Sequence, residues 1–180
     1  MSTAASRRSA FAMWMTGLPG SGKSVISGAV AQKLRLRGID ITVLESDVLR
    51  KQFFSTSSYE AQDRDYFYSS MAFIGEVLTE HGIPVIFDAT ANKRAYRDRA
   101  RTRIPRFLEI YVDTPLEVCM KRDPKGIYQK AASGESSNVP GMQAEYEAPQ
   151  SPDLVIHGDR ENPEESAARI IDILTAKGWI

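Results

Sequence analysis

The stretch Gly17-Leu18-Pro19-Gly20-Ser21-Gly22-Lys23-Ser24 has the spacing G-x-x-x-x-G-K-S and stands between an apolar run and a segment of helical character. Glycines at these positions let backbone N–H groups converge on an anion, and the following helix adds the positive end of its dipole. Lys23 is placed to contact β- and γ-phosphates, and the Ser24 hydroxyl to bind Mg²⁺. A chance glycine-rich turn is the alternative, but strand, loop and helix in this order favour a phosphate-binding loop (P-loop) that positions MgATP.

Around this loop, short apolar runs alternate with longer helical segments, a pattern typical of a parallel β-sheet covered by helices on both faces. The predicted fold is therefore α/β, a single three-layer P-loop domain at residues 11–180 that follows a flexible tail at 1–10. Ligands of such sheets bind at the carboxyl ends of the strands, so the residues just after the strands are the first functional candidates. We predict strands at 11–16, 41–45, 84–88, 107–113 and 154–157, and helices at 23–37, 60–81 and 163–177.

The composition narrows the class of partner. Hydrophobic residues make up 42% of the 180 residues, and 23 basic residues balance 23 acidic ones. A chain without net charge has no overall positive potential that would attract nucleic acid or an anionic membrane, which favours a small-molecule partner. The single cysteine, Cys119, excludes an internal disulfide and fits a reducing cytoplasm, where we expect the protein. Arginines recur from Arg97 to Arg106, and we expect them on a solvated helix face.

Residues 123–152 break the alternation of strands and helices. Gly, Ser, Pro, Lys and Glu dominate this segment without a clear period. About thirty residues are too many for a plain connection, so we interpret the segment as a mobile lid that keeps water from the reacting phosphate. A passive surface insertion is the alternative.

Three further motifs resemble the adenylylsulfate (APS) kinase family. The similarity runs from the P-loop to about Ile156 and implies an NMP-kinase-like P-loop fold with a five-stranded parallel sheet, usually dimeric. It also implies transfer of the γ-phosphate of MgATP to the ribose 3′-hydroxyl of APS, which makes PAPS for sulfate assimilation. The motifs are Val112-Asp113-Thr114-Pro115-Leu116-Glu117-Val118-Cys119, Lys121-Arg122-Asp123-Pro124-Lys125-Gly126-Ile127-Tyr128 and Tyr146-Glu147-Ala148-Pro149.

The resemblance assigns roles to residues beyond the P-loop. Asp47 and Arg50 match an Asp and an Arg of the family's Asp-Gly-Asp-Asn-x-Arg segment. Asp47 would orient or deprotonate the attacking hydroxyl and help hold Mg²⁺, and Arg50 would bind the acceptor's phosphate or sulfate. Lys125 would be the lid cation that approaches the nucleotides. A helix cap for Asp47 and a surface salt bridge for Arg50 are the alternatives.

Four more positions complete the candidate site. Tyr59 matches a family Phe that would support an adenine ring, although a core position is its alternative. Arg64 and Arg94 match arginines of the family's acceptor side. Asp88 ends a buried strand, where a carboxylate supports Mg²⁺ through water; a cap of the following turn is its alternative.

The acceptor side departs from the family pattern at three places. We therefore predict an APS kinase, with a kinase of the same family that acts on another nucleotide conjugate or small-molecule hydroxyl as the alternative. A non-catalytic nucleotide-binding regulator is a third possibility, which intact Lys23, Ser24 and Asp47 disfavour. In this chain Phe67-Tyr68-Ser69-Ser70 replaces Asn-Ile-Arg-Arg, Ala89-Thr90-Ala91-Asn92-Lys93 replaces Phe-Ile-Ser-Pro-Tyr, and Asn138-Val139-Pro140-Gly141 replaces Gly-Phe-Thr-Gly.

Overall fold

A computed structural model describes residues 10–54 and 61–180, which form five strands and seven helices. All five predicted strands are present, and each begins within one residue of its expected start. The predicted tail at residues 1–10 lies outside the described residues except for Ala10. The strands are β1 (Ala12–Thr16), β2 (Thr42–Glu45), β3 (Val85–Asp88), β4 (Phe107–Asp113) and β5 (Leu154–His157). The helices are α1 (Lys23–Leu36), α2 (Ser46–Phe53), α3 (Ala61–Glu80), α4 (Arg94–Arg103), α5 (Leu116–Arg122), α6 (Ile127–Ala132) and α7 (Pro163–Ala176).

The strands form one parallel sheet in the order β2-β3-β1-β4-β5. Asp88 pairs in register with Met15 of β1 on one side and with Glu45 of β2 on the other. Because all strands run in the same direction, their carboxyl ends meet at one edge of the sheet. The P-loop follows β1 at this edge, close to Asp88 and to the start of α2. The predicted α/β architecture is confirmed.

Two apolar layers bury the sheet, one on each face. Along β1, Met13 and Met15 face a cluster formed with α1 and α7, while Trp14 faces the opposite cluster with α3 and α4. Alternate residues of a strand point to opposite faces, so one short strand contributes to both layers. None of the helices within residues 10–54 and 61–180 is long and apolar enough to span a bilayer.

Two sequence predictions need correction. The segment 123–152 is not wholly irregular, because α6 forms after Gly126 and buries Tyr128 against Cys119 and Val139. The arginine stretch is not uniformly solvated either. Arg97 is only 1% exposed, because α4 turns it toward Glu109 on β4, where Nε donates a hydrogen bond of 2.6 Å to the carboxylate.

Candidate active site

The P-loop lies against the chain that leads from β4 into α5. A Cβ at Gly17 would lie 2.4 Å from the carbonyl oxygen of Val112, and one at Gly20 would lie 2.9 Å from that of Cys119. Both residues also have positive φ, 152° and 75°, which L-residues rarely adopt. The tight passage of the backbone therefore requires glycine at both positions.

The side chain of Lys23 folds back over this loop. It is 8% exposed, and Nζ donates hydrogen bonds to the carbonyl oxygens of Gly17 at 3.0 Å and Leu18 at 2.8 Å. Burial lowers the pKa of Lys23 to about 8, against the opposing effect of the Asp88 carboxylate. The lysine is thus a desolvated cation at the loop, where an anion interacts with it more strongly than in bulk water.

A cleft of about 770 Å³ opens beside the P-loop. Its walls are the P-loop, the ends of β2 and β3, the start of the lid and the loop after β5. Besides residues 19–23 of the P-loop, four further predicted residues meet here although they come from distant parts of the chain. They are Ser24, Asp47, Asp88 and Lys125. A volume of this size suits a nucleotide or another ligand of similar bulk.

Asp47 and Lys125 face each other at the mouth of the cleft. Lys125 Nζ donates a hydrogen bond to Asp47 Oδ2, and each side chain is about half exposed. Desolvation acts to lower the pKa of Lys125, but the bond to Asp47 and the charges of Asp47, Asp88 and Glu45 raise it overall. Asp47 does not cap α2, since Glu45 is the N-cap residue and Asp47 lies within the first turn of the helix. Its carboxylate is therefore directed to the lid.

Asp88 and Ser24 have the donor types that Mg²⁺ takes in nucleotide sites. The Asp88 carboxylate is 6% exposed at the end of β3, and Ser24 lies in the first turn of α1. Hard oxygen donors suit Mg²⁺, which keeps several waters and phosphate oxygens among its ligands. Within the described ranges, no group of three or more His, Cys, Asp or Glu side chains is placed to hold a metal by itself. The residues present fit an ion that arrives with phosphates.

The predicted acceptor arginines do not line this cleft. Arg50 is 7% exposed, and its guanidinium lies 4.1 Å from the centroid of the Phe67 ring, so it does not have the surface position that the salt-bridge alternative assumed. Arg94 contacts the end of the lid, where Nη1 donates a hydrogen bond of 3.2 Å to the Ala148 carbonyl. Tyr59 lies outside the described residues.

Arg64 connects three elements beside the cleft. From α3, Nη1 donates to Asn92 Oδ1 at 3.1 Å, and Nη2 donates to the lid carbonyl of Asn138 at 2.6 Å. Together with Arg50 and Arg94 it marks a second region, the acceptor side, which is bounded by α2, α3, the loop after β3 and the lid.

One wall of the cleft was missed in the sequence. A Cβ at Gly158, directly after β5, would lie 2.5 Å from the carbonyl oxygen of Ser21, so this loop contacts the P-loop itself. Arg122 Nη2 donates a hydrogen bond of 2.9 Å to the Gly158 carbonyl, and both residues line the cleft. The rule that ligands bind at the carboxyl ends of strands, applied to β5 as well, would have found this loop.

A glycine-lined phosphate loop, a buried lysine and a lid lysine at the edge of a parallel sheet define a P-loop kinase. The family model of adenylylsulphate kinase matches residues 9–157. The chain therefore belongs to the adenylylsulphate kinase family.

Individual relatives agree with this assignment. The chain is 38% identical to the adenylyl-sulfate kinase of Halothermothrix orenii over 168 residues, which cover 93% of this chain and 91% of that protein. It is 37% identical to the enzyme of the same name from a Picosynechococcus strain, with 93% and 95% covered. Among solved structures, the Mycobacterium tuberculosis APS kinase in complex with AMPPNP and APS superposes with a TM-score of 0.87 at 33% identity, covering 93% of this chain and 98% of that one.

Proposed function

We propose that this protein transfers the γ-phosphate of ATP to the ribose 3′-hydroxyl of adenylylsulfate and so makes PAPS. The proposal depends on the side chains that meet at the cleft. The P-loop lysine Lys23, the strand-end carboxylate Asp88 and the pair Asp47–Lys125 converge on one cleft, in a chain that superposes on an APS kinase solved with AMPPNP and APS.

The P-loop side of the cleft would hold the donor. The backbone N–H groups at the start of α1 and the Lys23 ammonium bind the β- and γ-phosphates. Ser24 and Asp88 would hold Mg²⁺. When bound, Mg²⁺ neutralises charge on the phosphates. Because the leaving group is the β-phosphate of ADP, fixed positive charge near it lowers the barrier.

Asp47 and Lys125 would act at the acceptor hydroxyl. A bond forms between the 3′-oxygen and the γ-phosphorus while the bond to the β,γ-bridging oxygen breaks, and the hydroxyl proton leaves. The Asp47 carboxylate orients this hydroxyl and accepts its proton. Lys125 then exchanges its contact with Asp47 for the oxygens of the transferring phosphoryl group, whose negative charge is spread over them.

The acceptor would occupy the side formed by Arg50, Arg64 and Arg94, next to Asp47. A second candidate is a kinase of this family with another nucleotide conjugate as acceptor. The packing of Arg50 favours it, because the ring of Phe67, which replaces a residue of the family's acceptor-binding run, covers this guanidinium.

ADP release from MgATP by the purified protein, with and without APS, tests the proposal. We expect release that depends on APS and yields a 3′-phosphorylated product, with kcat lowered about 100-fold or more in Asp47→Asn. Asp40→Asn is the matched control, because Asp40 is an almost fully exposed carboxylate paired with Arg35, away from the cleft. ATP binding without APS-dependent release would assign the acceptor side to another substrate.

We also propose that the protein acts as a homodimer in the cytoplasm, as the family resemblance implies. Size-exclusion chromatography with light scattering should give twice the chain mass of 20.0 kDa. Cell fractionation would test the location.

A further inference from the structure

The loop Ala89–Asn92, which follows Asp88, is held at every carbonyl by a residue outside the loop. Each of its four carbonyl oxygens accepts a hydrogen bond from β1, α4 or the lid. Buried carbonyls without such partners are costly, and partners from separate elements fix a loop in one conformation. The donors are Trp14 Nε1 to Ala89 at 3.0 Å, Thr16 Oγ1 to Thr90 at 2.7 Å, Arg97 Nη1 to Ala91, and the Glu147 N–H to Asn92 at 2.8 Å.

The centre of this loop is strained. Ala91 has φ of 42°, in the left-handed region that a residue with a Cβ enters only at a cost. Both of its peptide groups are clamped by buried side chains. Its N–H donates to the Tyr68 hydroxyl at 3.2 Å, and its carbonyl accepts from Arg97. These two bonds oppose relaxation of Ala91 to negative φ.

The clamping side chains are themselves fixed. The Tyr68 ring stacks on Tyr96 with centroids 4.7 Å apart, and Arg97 is paired with Glu109 at 2.6 Å. Both side chains are almost fully buried. Neither side chain can move with Ala91 if that residue changes conformation. We refer to Tyr68, Arg97 and their two hydrogen bonds to Ala91 as the clamp.

The conformation of Ala91 determines where Asn92 lies, and Asn92 joins the acceptor side to the lid. Its Oδ1 accepts from Arg64, its Nδ2 donates to the Glu145 carbonyl at 3.0 Å, and its own carbonyl accepts from Glu147. A flip of Ala91 would rotate Asn92 and break this set of bonds. The acceptor arginine and the end of the lid would then lose their common support.

We propose that Tyr68 and Arg97 are positioning residues for the acceptor: they hold Ala91 in the left-handed conformation and thereby keep Asn92, Arg64 and the lid in register. The proposal rests on the proposed function. Two departures from the family pattern meet in this clamp. Tyr68 stands where the family has Ile, and Asn92 stands where it has Pro, whose ring restricts the backbone without help.

Steady-state kinetics with Tyr68→Phe test the clamp. This variant keeps the stacked ring and loses the hydroxyl, which binds Ala91 and also takes part in a side-chain hydrogen bond with Arg50. Rescue by Ala91→Gly isolates the contribution of the contact with Ala91. We expect kcat/KM for adenylylsulfate to fall about tenfold while the Kd of ATP stays unchanged, because misplaced acceptor groups slow transfer and the P-loop is untouched. Tyr96→Phe is the matched control, since it removes a hydroxyl from the adjacent ring and leaves both bonds of Ala91 in place.

Rescue by Ala91→Gly separates positioning from general stability. Glycine adopts positive φ without strain, so Tyr68→Phe/Ala91→Gly should recover kcat/KM to within about threefold of the wild type. Arg97→Lys keeps a cation beside Glu109 but loses the fork of donors, including the bond of 2.7 Å from Nη2 to the Glu147 carbonyl, so the same change should restore it only in part. Failure of Ala91→Gly to restore Tyr68→Phe, or an equal loss of ATP affinity, would overturn the proposal.

Amide hydrogen exchange of Glu147 tests whether Tyr68 holds the loop, whatever the acceptor of the enzyme is. We expect exchange to accelerate about tenfold or more in Tyr68→Phe and to return toward the wild-type rate with Ala91→Gly. Unchanged exchange in Tyr68→Phe would also overturn the proposal. A wild-type protein that releases no ADP with adenylylsulfate would contradict the proposed function instead, and the exchange rates would still decide whether Tyr68 holds the loop.

Discussion

Lys125 Nζ donates a hydrogen bond to Asp47 Oδ2 and so joins the lid to the first turn of α2 across the mouth of the cleft. The two residues are 78 positions apart in the chain. Exposed ion pairs of this kind contribute little to stability, roughly 0–1 kcal/mol. We therefore expect their meeting at the cleft to matter for the proposed phosphoryl transfer, and little for the fold.

Replacement of the lid lysine should separate activity from stability. We expect Lys125→Met to lower kcat about 100-fold, because a cation near the transferring phosphoryl group is lost. The free energy of unfolding, measured with urea, should change by less than about 1 kcal/mol. Lys130→Met, at an exposed position of α6, is the control and should leave both quantities unchanged. A variant that loses stability in proportion to activity would contradict this assignment.

The lowered pKa of Lys23 predicts how ATP affinity depends on pH. The free protein loses this charge above about pH 8, whereas bound phosphates favour the protonated form. ATP affinity should therefore be nearly constant below pH 8 and should fall as pH rises toward 9.5, with net proton uptake on binding. Isothermal titration calorimetry in two buffers of different ionisation enthalpy measures both effects. Lys23→Met should bind weakly with little pH dependence, and a flat wild-type profile would refute the prediction.

The lowered pKa of Lys23 also makes the stability of the fold depend on pH. The pKa of Lys23 is lower in the folded chain, about 8, than its ordinary value of 10.5. Burial of the charged lysine therefore lowers the free energy of unfolding fully below pH 8. This destabilisation is relieved as pH rises from about 8 to 10.5, where the folded chain has already lost the proton. Unfolding of Lys23→Met compared with wild type should show the largest stability gain near neutral pH and a shrinking gain above pH 8.

Loss of Arg97 should destabilise the fold strongly. Its removal leaves Glu109 buried with, among residues 10–54 and 61–180, only the partly exposed Arg101 as a cation partner, at 3.1 Å. We expect Arg97→Met to cost about 3 kcal/mol in urea unfolding, near the lower end for a broken buried pair. Arg103→Met, which removes a more exposed arginine paired with Glu76, should cost less than about 1 kcal/mol. Equal losses of unfolding free energy in the two variants would show that burial does not increase the contribution of Arg97 to stability.

Two glycines in helices should respond in opposite directions to alanine. A Cβ at Gly75 of α3 would lie 2.1 Å from Cζ of Phe87, whereas one at Gly28 of α1 meets no atom within 4 Å. Gly75→Ala should destabilise the protein by about 1–3 kcal/mol through overpacking. Gly28→Ala should stabilise it by about 0.5–1 kcal/mol through helix propensity. Thermal unfolding of the pair checks both signs, and a stabilising Gly75→Ala would contradict the close approach of α3 to β3.

Local sequence patterns were enough to predict the strands, the P-loop and the class of reaction. Apolar runs of strand length, Gly38 and Gly82 at helix ends, and the spacing of the P-loop all act within a few residues, where sterics and burial dominate. The residues that follow β1, β2 and β3, which the sequence marked as functional candidates, line one cleft, because parallel strands bring their ends together whatever the details of packing.

Other features depended on contacts between residues far apart in the chain. Arg97 was expected in solvent and is buried against Glu109, and α6 formed in a segment without helical periodicity because Tyr128 could pack on Cys119. The clamp on Ala91 joins α3, α4 and the lid, and no window of the sequence contains its parts. Such bonds exist only once helices and sheet have packed, since each buried donor then takes the nearest acceptor. The motif thus predicted the phosphate-binding loop, and tertiary packing decided how the acceptor side is held.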